Sequence, residues 1–318
     1  MKGAEHQNKE EVCIVRAKLK KDYVYDALQE YGFQITTPYK GNPLLFRLMR
    51  EVFFRCKLPL RNIWYKSVPS NCKTIVMFDP LILPEYIAWI HRKNPQARII
   101  LSYENRANNT IHPDEVPSYV EKWSYDKDDC RDFSMRWLAP AYFMTYKRDP
   151  NAKPKYDVLY VGRDKGRAEY LLELEKKLQE KGLTTYFHIC ADRQFMGYKK
   201  RYYKKLLSYD AYLELLIDTK AVLNIVPEGQ KSVTQREMEA AFDGIKCITN
   251  NRGVKDFELF DKSIFFILGE DDFDSVDSFL RQEVRRYSRT ELEQFDFYNR
   301  INSMIEAGRM DLDGGINE

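Results

Sequence analysis

The sequence predicts an α/β protein of two Rossmann-like, doubly wound domains that face each other across a cleft. Three observations predict it. Short β-branched and aromatic runs alternate with stretches of helical period in both halves, which argues parallel sheets covered by helices. A length of 318 residues suits about two domains of ordinary size. A charged stretch with two prolines, 146–155 (YKRDPNAKPK), divides the halves as an interdomain linker does. Hydrophobic residues at 44% and charged residues at 31%, with no long biased tract, exclude disordered, collagenous and repeat classes. The charge balance, 51 − 48 = +3, is too small an excess for a protein that coats nucleic acid.

In the first half, strands are expected at 12–16, 74–78, 98–103 and 120–125, with helices at 22–31 and 84–93 between them. This reads as an N-terminal domain over 1–148. The second half is more regular, with strands at 156–161, 185–190, 221–226, 246–249 and 264–268. Its first helix, 167–181, places Leu171, Leu174 and Leu178 on one face before Gly182, a residue suited to C′. Further helices are expected near 209–217 and 236–243, the latter ending at Gly244. The second domain then covers 149–290, and a C-terminal helix with its tail covers 291–318.

Six cysteines (Cys13, Cys56, Cys72, Cys130, Cys190, Cys247) lie far apart, without a C-x-x-C pair or finger spacing, so they read as core residues in a reducing compartment. The start, MKGAEHQNKEEVC, has no apolar signal region, and no apolar run approaches the ~20 residues of a membrane span. The expectation is a cytoplasmic protein, peripheral at most to the inner face of the cell membrane.

Two turns carry the chemistry. The strand 156–161 runs into Gly162-Arg163-Asp164-Lys165-Gly166-Arg167 and then a helix. Beyond the carboxyl end of a parallel strand, glycines and a helix N-terminus suit an anion, and Arg163, Lys165 and Arg167 suit a diphosphate. The same residues also fit a solvated basic turn. The pattern is neither G-x-G-x-x-G nor G-x-x-x-x-G-K-[ST], which weakens a dehydrogenase and a P-loop enzyme alike. The strand 221–226 leads into a second turn, 227–236 (PEGQKSVTQR). There Thr234 and Glu237 have capping-box spacing, which accounts for Glu237. Glu239 lies one turn farther in, beside Ala240 and Ala241, where a carboxylate has room to accept the hydroxyls of a ribose.

The segments YDVLYVGRDKGR (156–167) and GQKSVTQREMEAAFDGIKCITNN (229–251) resemble those of bacterial GT-B glycosyltransferases of capsule, exopolysaccharide and lipopolysaccharide biosynthesis. The second is similar to the pattern G-Q-x-G-x-T-x-R-x-x-E-A followed by I-T-x-N, with Ser232 where glycine is usual. Weaker likeness extends to 207–226 and 123–138. The resemblance implies a nucleotide-diphosphate-sugar donor on the C-terminal domain, a glycan or polyprenyl-linked acceptor on the N-terminal one, and no resident cofactor. It also implies that the C-terminal helix packs back on the first domain. Carried over by position, Gly162, Arg163, Lys165, Gly166 and Arg167 form one wall of the donor site. Gln230, Ser232, Val233, Thr234, Arg236 and Glu239 form the other.

An inverting transferase also needs a base near the acceptor hydroxyl. Asp79 and Glu104 follow the strands 74–78 and 98–103 and are the candidates, and each also fits a cap or a loop ion pair. Of the four histidines, His112 alone lies in a loop suited to the cleft. Asp126-Lys127-Asp128 has D-x-D spacing, but a helix N-terminus explains it better, and Asp311-Leu312-Asp313 lies in a glycine-containing tail, so no metal is expected. The segments 44–61 (LLFRLMREVFFRCKLPLR) and 198–205 (YKKRYYKK) interleave cations with apolar residues. They suit an anionic membrane surface, or else a core-facing helix with a charged outer side and an unrelated loop. Nucleic acid is not an expected partner. Two other functions stay open: a nucleotide-sugar epimerase of the same fold, and a non-catalytic nucleotide-sugar-binding module.

Overall fold

The computed structural model describes residues 9–17, 23–41, 44–59, 61–143, 153–192 and 201–313. The chain divides into two compact units: Met1–Ala139 with Arg300–Glu318, and Pro140–Asn299. Most of the expected linker, 146–152, lies outside the described residues.

The first unit contains β1 (Val12–Val15), α1 (Tyr23–Glu30), β2 (Gln34–Thr36), α2 (Leu44–Arg55), β3 (Thr74–Phe78), α3 (Pro84–Lys93), β4 (Arg98–Tyr103), β5 (Val120–Ser124), α4 (Lys127–Asp132) and β6 (Arg136–Trp137). Its strands form one parallel sheet in the order β2-β1-β3-β4-β5-β6. Central strands of such a sheet are covered on both faces, which is why VCIV in β1 is buried throughout and why TIVMF in β3 carries no charge. Pro84 opens α3 at a position that needs no N–H, and Tyr86, Ile87 and Ile90 then bury one face against Ile75, Met77, Ile99 and Leu101.

The second unit contains β7 (Tyr156–Arg163), α5 (Ala168–Glu180), β8 (Thr185–Cys190), α6 (Tyr209–Ile217), β9 (Thr219–Asn224), α7 (Gln235–Asp243), β10 (Lys246–Thr249), β11 (Phe265–Ile267), α8 (Val276–Arg281) and α9 (Arg289–Glu293). Its sheet is also parallel, in the order β11-β10-β9-β7-β8. The expected leucine face of α5 is buried, and Gly182 follows the helix at φ +76°, a conformation that costs a side-chain residue energy. A final helix, α10 (Phe297–Asp313), contributes Ile301, Met304 and Ile305 as a buried stripe. The Arg98 guanidinium donates to the carbonyls of Ile305 (2.7 Å) and Met304 (2.9 Å) and pairs with Glu121, within the first unit.

Two α/β units with parallel sheets thus match the expected class. Both sheets have the same winding, with the first strand central, the second on one side and the third on the other. The switch point lies between β1 and β3 in one unit and between β7 and β9 in the other, and there the carboxyl ends leave a crevice. The sequence pattern gave no sign of β2 and β6, which are edge strands of three and two residues. A strand that short has too few alternating positions to read.

Candidate functional site

Both turns singled out in the second unit lie at its switch point. In the first, Lys165 (φ +47°) and Gly166 (φ +77°) take left-handed conformations in succession, so the chain reverses tightly before α5. Asp164 accepts from the Ala168 N–H at 2.6 Å, which anchors the helix start, and the Tyr203 hydroxyl donates to its other oxygen. The Lys165 N–H donates to both carboxylate oxygens of Asp192 at 3.0 Å. Arg163 Nη1 donates to the Asp192 carbonyl at 2.8 Å. Arg167 spends its guanidinium on the carbonyls of Asp164 (3.1 Å), Arg163 (3.1 Å) and Ile225. The anion at this turn is therefore the protein's own Asp192, and two of the three cations brace backbone. The Lys165 side chain is exposed. At Gly162 a Cβ would lie 2.8 Å from the Tyr160 hydroxyl, which donates to the Arg163 carbonyl at 3.2 Å.

The second turn folds against Asn251–Gly253. Gly229 is left-handed (φ +78°), the Gln230 N–H donates to the Pro227 carbonyl at 3.2 Å, and the Ser232 carbonyl accepts from Asn251 Nδ2 at 3.1 Å. Val233 and Thr234 are half-buried and lead into α7. Glu237 is fully buried and accepts four hydrogen bonds. Asn224 Nδ2 and the Thr249 hydroxyl reach one oxygen, each at 3.0 Å, and the Thr234 N–H (2.7 Å) and Asn251 Nδ2 (3.1 Å) reach the other. Glu237 thus ties α7 to β9 and β10 and returns half of the expected capping box. Burial still raises its pKa, because desolvation outweighs the four donors.

Arg236 and Glu239, one turn apart on α7, line a single cavity of about 250 Å³ with Val161, Leu207, Ser208, Tyr209, Tyr212 and Gln235. Ligand pockets for drug-sized molecules run to roughly 300–1,000 Å³, so this one suits a fragment such as a ribose or a pair of phosphates. Arg236 donates to the Val161 carbonyl through Nη2 and lies 5.6 Å from the Tyr212 ring centroid. Its Nε has no hydrogen-bond partner among the described residues. Glu239 accepts at Oε1 from the Tyr209 hydroxyl (2.9 Å) and Gln235 Nε2 (3.2 Å), and at Oε2 from the Tyr212 hydroxyl. A carboxylate offers about four lone-pair sites, so one remains on Oε2. The Tyr209 hydroxyl also contacts that of Tyr142 at 2.9 Å, extending the chain of hydroxyls behind the carboxylate. Burial raises the Glu239 pKa, and the Arg236 charge and three donors only partly oppose it.

Of the predicted donor residues, Arg236 and Glu239 share this cavity. Gly162, Arg163, Lys165, Gly166, Arg167, Gln230, Ser232, Val233 and Thr234 do not line it, and they build the two turns beside it. Sequence reasoning missed Asp192, Tyr209, Tyr212 and Gln235. Tyr209 and Tyr212 had a legible signal, since Ser208 caps α6 by accepting from the Ala211 N–H at 3.2 Å and tyrosines three apart on one face follow.

In the first unit, Asp79 is fully buried and clamps a loop, accepting from the Glu104 N–H (2.6 Å) and Asn105 Nδ2 (2.9 Å), with its pKa raised by burial. Glu104 is half-buried and pairs with Arg16 at 3.7 Å. Burial in α10 lowers the pKa of Arg300, the charge of Glu104 only partly opposing it, and its Nε and Nη2 have no hydrogen-bond partners among the described residues. His112 accepts from the Asp114 N–H at 3.4 Å and stands edge-on to Phe133. Asp126 caps α4, accepting from the N–H groups of Asp128 and Asp129 at 3.0 Å, as the helix-terminus reading of that segment expects. Among the described residues no cluster of three metal-ligating side chains occurs. The sequence matches no protein-family model and no curated protein.

Proposed function

We propose that the second unit binds the nucleoside diphosphate of a nucleotide sugar, and that the protein is a GT-B-type glycosyltransferase acting on a glycan or polyprenyl-linked acceptor in bacterial surface-polysaccharide synthesis. The observation that carries the reading is the pairing of Arg236 and Glu239 in one cavity at the sheet's switch point. A guanidinium there stabilises the negative charge that grows on a departing diphosphate, in a site where burial strengthens the interaction. The remaining lone pair of Glu239 Oε2 accepts one ribose hydroxyl, while Tyr209, Tyr212 and Gln235 hold the carboxylate in place.

The burial of Asp79 favours one further reading, a nucleotide-sugar-binding module without turnover, because a clamped carboxylate with no exposed surface cannot reach an acceptor hydroxyl. Glu104 is then the base candidate that keeps partial exposure. Thermal-shift titration with UDP-, GDP-, ADP- and CMP-linked sugars tests both readings. A ligand at 100 times its Kd adds about 2.7 kcal/mol to the native state, and Arg236→Ala should abolish that gain. Slow release of nucleoside diphosphate from the bound donor marks an enzyme, and binding without release marks the module. If no nucleotide sugar shifts the transition, both readings fail.

A further inference from the structure

The helix α2 presents apolar residues on two sides. Phe46 and Phe53 stand edge-on to Trp64, with ring centroids 5.1 and 5.5 Å away, and Phe54 meets Tyr39 at 5.3 Å. That side attaches the helix to its unit. Leu45, Leu48, Met49 and Val52 follow the spacing i, i+3, i+4, i+7, which makes a second stripe. They are 68%, 56%, 45% and 54% exposed. A surface helix ordinarily carries charge on that side, so the pattern is inverted relative to a helix whose only task is to cover the core.

The charges around the stripe are cationic. Arg55 and Lys57, at the end of the helix, are exposed and make no ion pair among the described residues. Glu51, the one acid in α2, is held by Arg50 at 3.7 Å, and Glu85 is held by Arg61 at 3.1 Å. Ile63, in the turn that follows, is half exposed. The other basic segment has a different fate. Lys204 is tied to β8 through the Phe187 carbonyl at 2.7 Å, and Tyr203 is tied to Asp164, so this part of 198–205 braces the second unit; residues 198–200 lie outside the described residues.

We propose that the outward face of α2 docks the protein on an anionic phospholipid bilayer, with Leu45, Leu48, Met49 and Val52 entering the acyl boundary and Arg55 and Lys57 meeting lipid phosphates. The charge decides between a bilayer and a second copy of the chain. The same face of a second copy would bring Arg55 and Lys57 against like charges, whereas an anionic bilayer meets them with phosphate and accepts a small apolar wedge without shape complementarity. A wedge of this size needs added electrostatic attraction to bind stably, which the unpaired cations supply.

The inference stands apart from the nucleotide site and is tested by sedimenting the full chain with phosphatidylcholine vesicles containing or lacking about one-third phosphatidylglycerol. Binding to the anionic vesicles should exceed binding to the neutral ones at least tenfold and should fall at about 0.5 M salt. Leu48→Glu and Val52→Glu should each cut it about tenfold, and Arg55→Glu should weaken it, with unfolding midpoints unchanged because these side chains are exposed. Equal partition to both vesicle types, or unaltered binding by Leu48→Glu, overturns the proposal. So does a concentration-dependent dimer, seen by light scattering without lipid, that Leu48→Glu dissociates.

Discussion

Two carboxylates on one helix, Glu237 and Glu239, should respond unequally to the same substitution. Both are buried and both pay desolvation, so a neutral glutamine relieves a similar cost at each site and the difference lies in the donors. At Glu237 two donors face each oxygen. Glutamine keeps one acceptor and turns an NH₂ toward the other pair, the Thr234 N–H and Asn251 Nδ2, or toward the first. The Thr234 N–H cannot accept, and Asn251 cannot flip without losing its bonds to the Gly253 N–H (3.1 Å) and the Ser232 carbonyl (3.1 Å). At about 1–3 kcal/mol for each buried donor left unpaired, Glu237→Gln should cost about 2–4 kcal/mol after relief of the charge. At Glu239 the oxygen of glutamine can serve Tyr209 and Gln235, and the Tyr212 hydroxyl can rotate to accept from the new NH₂. Glu239→Gln should therefore cost about 1 kcal/mol or less while weakening nucleotide binding. Urea unfolding midpoints at neutral pH measure both. If Glu239→Gln destabilises as much as Glu237→Gln, Glu239 is a structural anchor and the division of labour argued for α7 is wrong.

Lys246 opens β10 buried, donating to the Ser263 carbonyl at 2.8 Å and lying 4.5 Å from the Phe279 ring centroid, and burial lowers its pKa from 10.5 to about 8. Below pH 8 the folded state must hold that charge, while between 8 and 10.5 the unfolded chain binds the proton that the native state has released. This contribution to stability therefore rises with pH across the window, by on the order of 3 kcal/mol. Lys246→Met should be more stable than the parent at pH 7, by about 1–2 kcal/mol after loss of the hydrogen bond, with the advantage vanishing near about pH 9 and reversing toward pH 10.5; a constant difference would refute it. Gly253 approaches the 227–234 turn so closely that a Cβ would meet the Lys231 backbone, its carbonyl carbon 2.7 Å away. Gly253→Ala should displace that turn and cost about 1–3 kcal/mol by urea unfolding, with nucleotide binding weakened as well.

The parallel sheets were legible because buried parallel strands are short apolar runs bounded by turn residues, as in TIVMF and in YDVLYV before Gly162. So were the two candidate turns, since topology alone places loops after the first and third strands at the crevice. The roles within them were not. Nothing local distinguishes Arg163 and Arg167, which brace carbonyls, from Arg236, which lines the cavity, because the difference depends on Asp192 and Ile225, 29 and 58 positions away from Arg163 and Arg167 respectively. Glu237 and Glu239 diverge for the same reason, as the partners of one lie on β9 and β10 and those of the other on α6 and α7. The segment 44–61 read as amphipathic, but its inside and outside faces were settled only by Trp64 and Tyr39.

A crystal structure of the protein grown with millimolar nucleoside diphosphate tests directly whether Arg236 and Glu239 hold the nucleotide. Phosphate oxygens should lie within hydrogen-bond reach of the Arg236 guanidinium, with a ribose hydroxyl on Glu239 Oε2. A nucleotide lodged away from α7, with the Tyr209–Glu239–Tyr212 contacts undisturbed, would contradict it.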